Sequence, residues 1–332
     1  MIRRLLLQLT LALTGLATIS VAAQALPAWP QRAVRIIVAA PAGSSVDIVA
    51  RSIVEGADGL RVKWKQAVIV DNKPAAGGTA AAGEVARAAP DGYTLLLGFN
   101  GPLATAPSLY VNLAYDPLRD FVPVILTGMQ PNLLVVNSSV PANNLRDLIA
   151  LARARPGTLN YASVGNGSSS HLCMELLKRI VDVDIVHVPF NGGPPATQAV
   201  VAGDVQALFA APFNLLGQVQ AGRLKAIAVT GLKRFSPTPE IPTIAESGIA
   251  GLATFEAIAW NGLVAPVATP KELVMRINRD IDEVLADPAR RAKLFAAGIE
   301  AGGGSPATFG KLLASEAQKW AKVIHATRAK VD

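Results

Sequence analysis

The sequence predicts an α/β protein of two doubly wound domains joined by a hinge, and three observations carry that expectation. Short continuous apolar runs alternate with stretches whose apolar residues recur every three to four positions, the pattern of buried strands between amphipathic helices. The 332 residues, 51% of them hydrophobic, exceed one small domain and suit two of about 120–180 residues each. Two Gly/Ser loops, Pro41-Ala-Gly-Ser-Ser-Val-Asp47 and Gly165-Asn-Gly-Ser-Ser-Ser-His171, each close a strand and open a helix. Such a turn aims unpaired backbone N–H groups at one point, an anion site that needs no lysine or arginine.

The N-terminus carries Arg3 and Arg4, an apolar run over 5–21, and small residues at Ala23-Gln-Ala25. This reads as a secretory signal peptide over 1–25, cleaved after Ala25. The run is broken by Gln8, Thr10, Thr14, Thr18 and Ser20 and is shorter than the ~20 apolar residues of a spanning helix. The remaining chain is expected to be soluble and exported.

A first βα series follows. Residues 34–39 form a strand, and 46–60 a helix with Val46, Val49, Ile53 and Val54 on one face. Residues 67–70 form a strand, 74–78 a turn, and 79–88 a helix of small residues. Asp91-Gly92 turns the chain into a buried strand over 94–97. Residues 121–126 and 133–136 are further strands. The second series opens with a helix over 145–154, capped by Asn143 or Asn144 and stopped by Pro156-Gly157. Strand 161–163, helix 169–181 and strand 185–188 come next. Helix 194–202 has its prolines early, where the missing N–H costs nothing. Strands 207–210 and 225–229 flank a helix over 214–220. The tail is helical over 271–286, from Pro288, and over 308–328. Continuous apolar strands between helices imply mainly parallel sheets covered on both faces.

The halves interleave. One crossing falls around 129–133, and a Pro/Gly-rich region over 237–251 precedes the other. The expected lobes are 26–131 with 254–332, and 132–253. Paired crossovers of this kind make a hinge.

The composition excludes several classes. The net charge is +7, but its 31 Lys/Arg are scattered, with no dense basic run interleaved with aromatics, which argues against nucleic acid. The single cysteine, Cys173, cannot form an internal disulfide, and it shares an apolar helix face with Leu172, Leu176, Leu177 and Ile180. Three histidines and no cysteine pair leave no zinc ligand set, so no metal and no cofactor is expected. Neither loop ends in the Gly-Lys-Ser/Thr of a P-loop, and no Gly-x-Ser-x-Gly elbow occurs. Ser170 and His171 are adjacent on one helix and point apart, so a secreted hydrolase is disfavoured and no catalytic residue is assigned. His171 either lines a cleft or is structural, and Trp260 either walls a cleft or packs. Asp47 suits a helix cap better than a ligand contact.

At this point the motifs resemble a known family. Trp29-Pro30 leading into Val34-Arg-Ile-Ile-Val-Ala-Ala-Pro-Ala-Gly-Ser-Ser-Val-Asp47 is similar to the start of Bug/TctC-type proteins, the periplasmic solute-binding proteins of tripartite tricarboxylate transporters. The likeness continues through Asn72-Lys-Pro-Ala-Ala-Gly-Gly78, Ala89-Pro-Asp-Gly-Tyr-Thr-Leu-Leu96, Tyr115-Asp-Pro117, Asp120-Phe-Val-Pro123, Leu159-Asn-Tyr-Ala-Ser163, His187-Val-Pro-Phe190 and Trp260-Asn-Gly-Leu-Val-Ala-Pro266. It implies a two-lobed Venus-flytrap fold, a periplasmic location, a monomer, and two loops that act as pincers on a small organic carboxylate. The first pincer would be Ala42, Gly43, Ser44 and Ser45, with Asp47 closing the motif. The second would be Gly165, Asn166, Gly167, Ser168 and Ser169, with His171 nearby. Phe190 and Asn191 match the loop after the next strand. The implied partners are the membrane permease subunits of a tripartite transporter or, as an alternative, a membrane sensor kinase.

Three positions depart from the family pattern. Ser44 stands where a second glycine is usual, and Asn191 where many members have lysine. Ala210 replaces an aspartate found in a number of members, which leaves an amino acid's ammonium without an obvious partner. A plain carboxylate is therefore expected over an amino acid.

Overall fold

The computed structural model describes residues 29–327. The signal-peptide expectation over 1–25, and the last residue of the expected helix 308–328, lie outside the described residues. By its internal contacts the chain divides into residues 1–31 and 32–332, and the fold below is that of the second unit.

The chain runs β1 (Val34–Val38), α1 (Ser45–Val54), α2 (Leu60–Trp64), β2 (Val68–Asn72), α3 (Thr79–Ala86), β3 (Thr94–Phe99), α4 (Ala106–Leu109) and β4 (Phe121–Pro131). It continues with β5 (Leu133–Asn137), α5 (Leu145–Ala154), β6 (Asn160–Ser163), α6 (Ser169–Val181), β7 (Val186–Pro189), α7 (Gly193–Ala202), β8 (Ala207–Ala210), α8 (Pro212–Gln220) and β9 (Leu224–Val229). The last stretch is β10 (Ile258–Pro266), α9 (Lys271–Ala286), α10 (Pro288–Ala296), β11 (Glu300–Gly303) and α11 (Pro306–Thr327).

These strands build two sheets, ordered β11-β4-β10-β3-β1-β2 and β7-β6-β8-β5-β9. The chain passes from the first sheet to the second between Pro131 and Leu133, and returns between Val229 and Ile258. The sheets are mixed rather than mainly parallel. β1 is parallel to β2 and β3, and β6 to β7 and β8. β10 is antiparallel to β3 and β4, β11 to β4, and β5 to β8 and β9. The antiparallel members include the strands at the two crossings. β5 and most of β10 are buried on both faces as a parallel strand would be, so hydrophobic pattern alone does not separate the two cases.

Each sheet has its own core. Ile37, Leu96, Phe121, Val264 and Phe309 pack in the first, and Tyr161, Leu172, Cys173, Phe209 and Trp320 in the second. α11 serves both: Phe309 and Leu313 belong to the first core, Trp320 and Ile324 to the second. Cys173 is fully buried, and burial pushes its thiol up to about 12.

Several elements were not legible in sequence: the expected helix 46–60 ends at Val54 and a separate α2 follows, β11 interrupts the expected helical tail, and α4 with the turn before it was not expected. Gly101-Pro102 looks like a break, yet residues 101–105 form a π-helical turn that runs into α4. Gly101 is needed there, because a Cβ would stand 2.7 Å from the Phe99 ring. Single π turns of this kind often sit beside functional sites.

Candidate functional site

The two Gly/Ser loops adopt one geometry. In the first, Gly43-Ser44-Ser45-Val46-Asp47, Ser44 caps α1: its Oγ accepts from the Asp47 N–H at 3.3 Å, and Gly43 donates its N–H to Asp47 Oδ2 at 2.9 Å. In the second, Gly167-Ser168-Ser169-Ser170-His171, Ser168 caps α6 by accepting from the His171 N–H at 3.3 Å, and Gly167 donates to His171 Nδ1 at 3.1 Å. Both glycines are left-handed, at φ +77° and +74°. A side chain at the fifth position thus clamps the glycine N–H in each loop, a carboxylate in one and an imidazole in the other.

That clamp decides which amides remain. Gly43 and Gly167 already have acceptors, so they shape the loops rather than face a ligand. The donors without intrahelical partners are those of the first helical turn. Of these, Ser45 and Val46 on α1 and Ser169 on α6 line a common cavity of about 450 Å³. The cavity draws on loops of both sheets, so the two turns face one cleft.

Of the sequence-expected residues, Ser44, Ser45, Gly165, Asn166, Ser168, Ser169, Phe190, Asn191 and Ala210 line this cleft. Ala42, Gly43, Asp47, Gly167 and His171 do not. Asp47 is a structural carboxylate that also accepts from Arg51 Nε at 3.0 Å. Burial would raise its pKa, but hydrogen bonds from Arg51, Gly43 and Asn72 outweigh burial and hold it below the usual range.

His171 is buried behind its loop. Its ring stacks on His187 at 4.1 Å, and His187 stacks on Tyr161 at 4.8 Å. Burial, reinforced by the Lys178 charge, pulls His171 down to about 4. Burial and the neighbouring His171 pull His187 down to about 3. Both imidazoles are therefore neutral at pH 7, as the acceptor role of His171 Nδ1 requires. Ser170 is not presented to His171, since its Oγ donates to the Phe209 carbonyl. A serine–histidine hydrogen bond does link Ser163 Oγ and His187 Nε2 at 2.7 Å, but neither residue lines the cleft and Ser163 is fully buried.

The structure adds lining residues that sequence reasoning missed. Gly192 and Gly193 bring the start of α7 to the cleft, and Ala211 and Asn214 bring the start of α8. The signals were present: Gly193-Pro-Pro195 and Ala211-Pro212 are helix openings with proline in the first turn. Four helix N-termini thus converge, each equivalent to roughly half a positive charge. None of the lining residues carries a charged side chain. Pro74, Ala76 and Gly77 form one wall, with Tyr110, whose hydroxyl donates to the Ala76 carbonyl at 3.1 Å.

Trp260 both walls the cleft and packs. Glu316 of α11 accepts from Trp260 Nε1 at 3.0 Å, Trp320 Nε1 at 2.8 Å and Asn100 Nδ2 at 3.2 Å. Asn100 Oδ1 in turn accepts from the Trp260 N–H at 3.0 Å. The lobes also touch at the mouth of the cleft. A Cβ on Gly192 would stand 2.7 Å from Pro41 Cγ, and one on Gly77 would stand 3.2 Å from the Asn166 carbonyl. Among the described residues no group of three His, Cys, Asp or Glu is placed to hold a metal, and no helix is long and apolar enough to cross a membrane.

Two α/β lobes linked by two crossings, with helix N-termini converging on the cleft between them, make a two-lobed solute-binding architecture. Comparison with known proteins gives it a family. The model described as "Tripartite tricarboxylate transporter family receptor" matches residues 49–328. Protein BugT of Bordetella pertussis is 34% identical over 304 residues, 91% of each chain. Among solved structures, Rpa4515 of R. palustris with adipate is 35% identical with a TM-score of 0.85, over 91% of this chain and 100% of that one. MatC of Rhodopseudomonas palustris with bound malate is 34% identical with a TM-score of 0.81, over 89% of this chain and 100% of the other. The chain belongs to the TctC/Bug family of periplasmic solute-binding receptors.

Proposed function

We propose that this protein is a non-enzymatic receptor that captures a small carboxylate between its lobes and delivers it to the membrane subunits of a tripartite tricarboxylate-type transporter. The observation that carries the reading is the matched pair of capped turns, whose first-turn residues Ser45, Val46 and Ser169 line one cleft that has no charged side chain. Export to the periplasm through cleavage after Ala25, and lobes at 26–131 with 254–332 and at 132–253, are part of the same reading.

The magnitudes support it. A hydrogen bond to a charged group contributes about 1.5–3 kcal/mol. Three such bonds, the hydroxyls of the loop serines and apolar contact with Phe190, less ordering costs, give about −8 kcal/mol, near micromolar affinity. Closure follows from contacts that the ligand makes to both lobes at once. The cleft also selects by charge. With four positive helix ends and no acidic lining residue, an ammonium group would be desolvated without a charged partner. Succinate is therefore expected to bind and aspartate, the same skeleton with an amino group, to bind at least tenfold more weakly.

Calorimetry of the protein against succinate, adipate, malate, benzoate and aspartate tests this. Micromolar binding of at least one plain carboxylate is expected. Absence of binding by every member at millimolar concentration overturns the proposal.

A further inference from the structure

The floor of the cleft is made by the end of β4 and the start of β10. Their antiparallel register pairs Gln130 with Ala259 and Gly128 with Asn261. Gly128 and Gln130 lie on one face, as do Ala259 and Asn261 opposite them, so Gln130 and Asn261 are diagonal neighbours. Gly128 leaves the space, since a Cβ there would stand 3.2 Å from Asn261 Oδ1. Gln130, Asn132 and Asn261 all line the cleft and are each at least 95% buried.

Their hydrogen bonds are incomplete. Asn261 Oδ1 accepts from Thr127 Oγ1 at 2.7 Å, and its Nδ2 has no partner among the described residues. Asn132 Nδ2 donates to Cys173 Sγ at 3.4 Å, which leaves its Oδ1. Gln130 Oε1 is buried with no donor at all among the described residues. Asn100, by contrast, has both amide atoms engaged. Buried amide atoms are rarely left unpaired, and an orphan at a binding site points to a group supplied from outside. The terminal torsion of glutamine is soft, so a small rotation turns Oε1 toward the cleft.

We infer that Gln130, Asn132 and Asn261 form an uncharged hydrogen-bonding subsite that takes a hydroxyl group on the carboxylate's carbon skeleton. A hydroxyl donates to Gln130 Oε1 while accepting from Asn261 Nδ2. A second carboxylate cannot donate, and an ammonium cannot accept. The cleft thus reads hydroxy acids over otherwise identical plain acids. This inference rests on the carboxylate-receptor reading.

The test is calorimetry with matched pairs: each enantiomer of malate against succinate, and of 3-hydroxybutyrate against butyrate. At least one hydroxylated enantiomer should bind about tenfold tighter than its plain partner. Gln130→Met should cut that preference below threefold, read as the ratio of hydroxy acid to plain acid within the variant. If each hydroxy acid binds within twofold of its plain partner in the wild-type protein, the subsite is wrong and the carboxylate reading stands. A preference that survives intact in Gln130→Met also overturns it. Should the variant not fold, the wild-type pairs decide alone. Binding of no probe overturns the carboxylate reading, and this inference with it.

Discussion

Acid should loosen this protein through His171. The Gly167 N–H is held by His171 Nδ1, which can accept only while the ring is neutral on that side. Folded His171 titrates at about 4, against an unfolded value of about 6.5. The folded state therefore binds this proton less readily than the unfolded chain. Stability is full above pH 6.5 and falls as pH drops through the window down to about 4. Between pH 7 and pH 5 the loss from this one group is about 2 kcal/mol. Urea unfolding at the two pH values measures it. His171→Asn supplies the comparison: asparagine puts a non-titrating Oδ1 near the place of Nδ1, so the variant is less stable at pH 7 but flatter with pH by about 2 kcal/mol. An identical pH dependence in wild type and variant would refute the reasoning.

Other outcomes follow from the same geometry. Ser168→Ala removes the cap of α6 and should cost about 1 kcal/mol, while Ser168→Thr keeps most of it; thermal unfolding distinguishes them. Gly192→Ala would press a Cβ against Pro41 of the facing lobe and should weaken ligand binding at least tenfold. Gly222→Ala is its control, since Gly222 shares a positive φ but has open space around it, and it should leave affinity alone. Cys173 should resist a water-soluble thiol reagent in the folded protein and react fully in denaturant, because burial raises its pKa to about 12 and shields the sulfur.

Much of this molecule could be read from its residues, for identifiable reasons. The strand–turn–helix loops announce themselves by Gly, Ser and an apolar run on either side, and Ser44 and Ser168 cap their helices as that chemistry requires. What escaped was long-range. Gly43 and Gly167 looked like ligand-facing amides, and only the folded loops reveal that Asp47 Oδ2 and His171 Nδ1 already occupy them. Gln130 and Asn261 lie 131 positions apart and look like ordinary strand residues; only the β4–β10 register makes them neighbours. The strand directions at the crossings escaped as well, since the Leu-Leu-Val-Val run of β5 is as uniformly apolar as a parallel core strand.

The C-terminal helix has a consequence for how the protein comes apart. Along its 22 residues it gives Phe309 and Leu313 to one sheet's interior and Trp320 and Ile324 to the other's. A splint fixed at both ends in this way denies the halves independent melting. Trimming the chain before Trp320 would strip greasy surface from the far half while leaving the near half nearly whole. A single sharp calorimetric peak for the intact protein should then split in two.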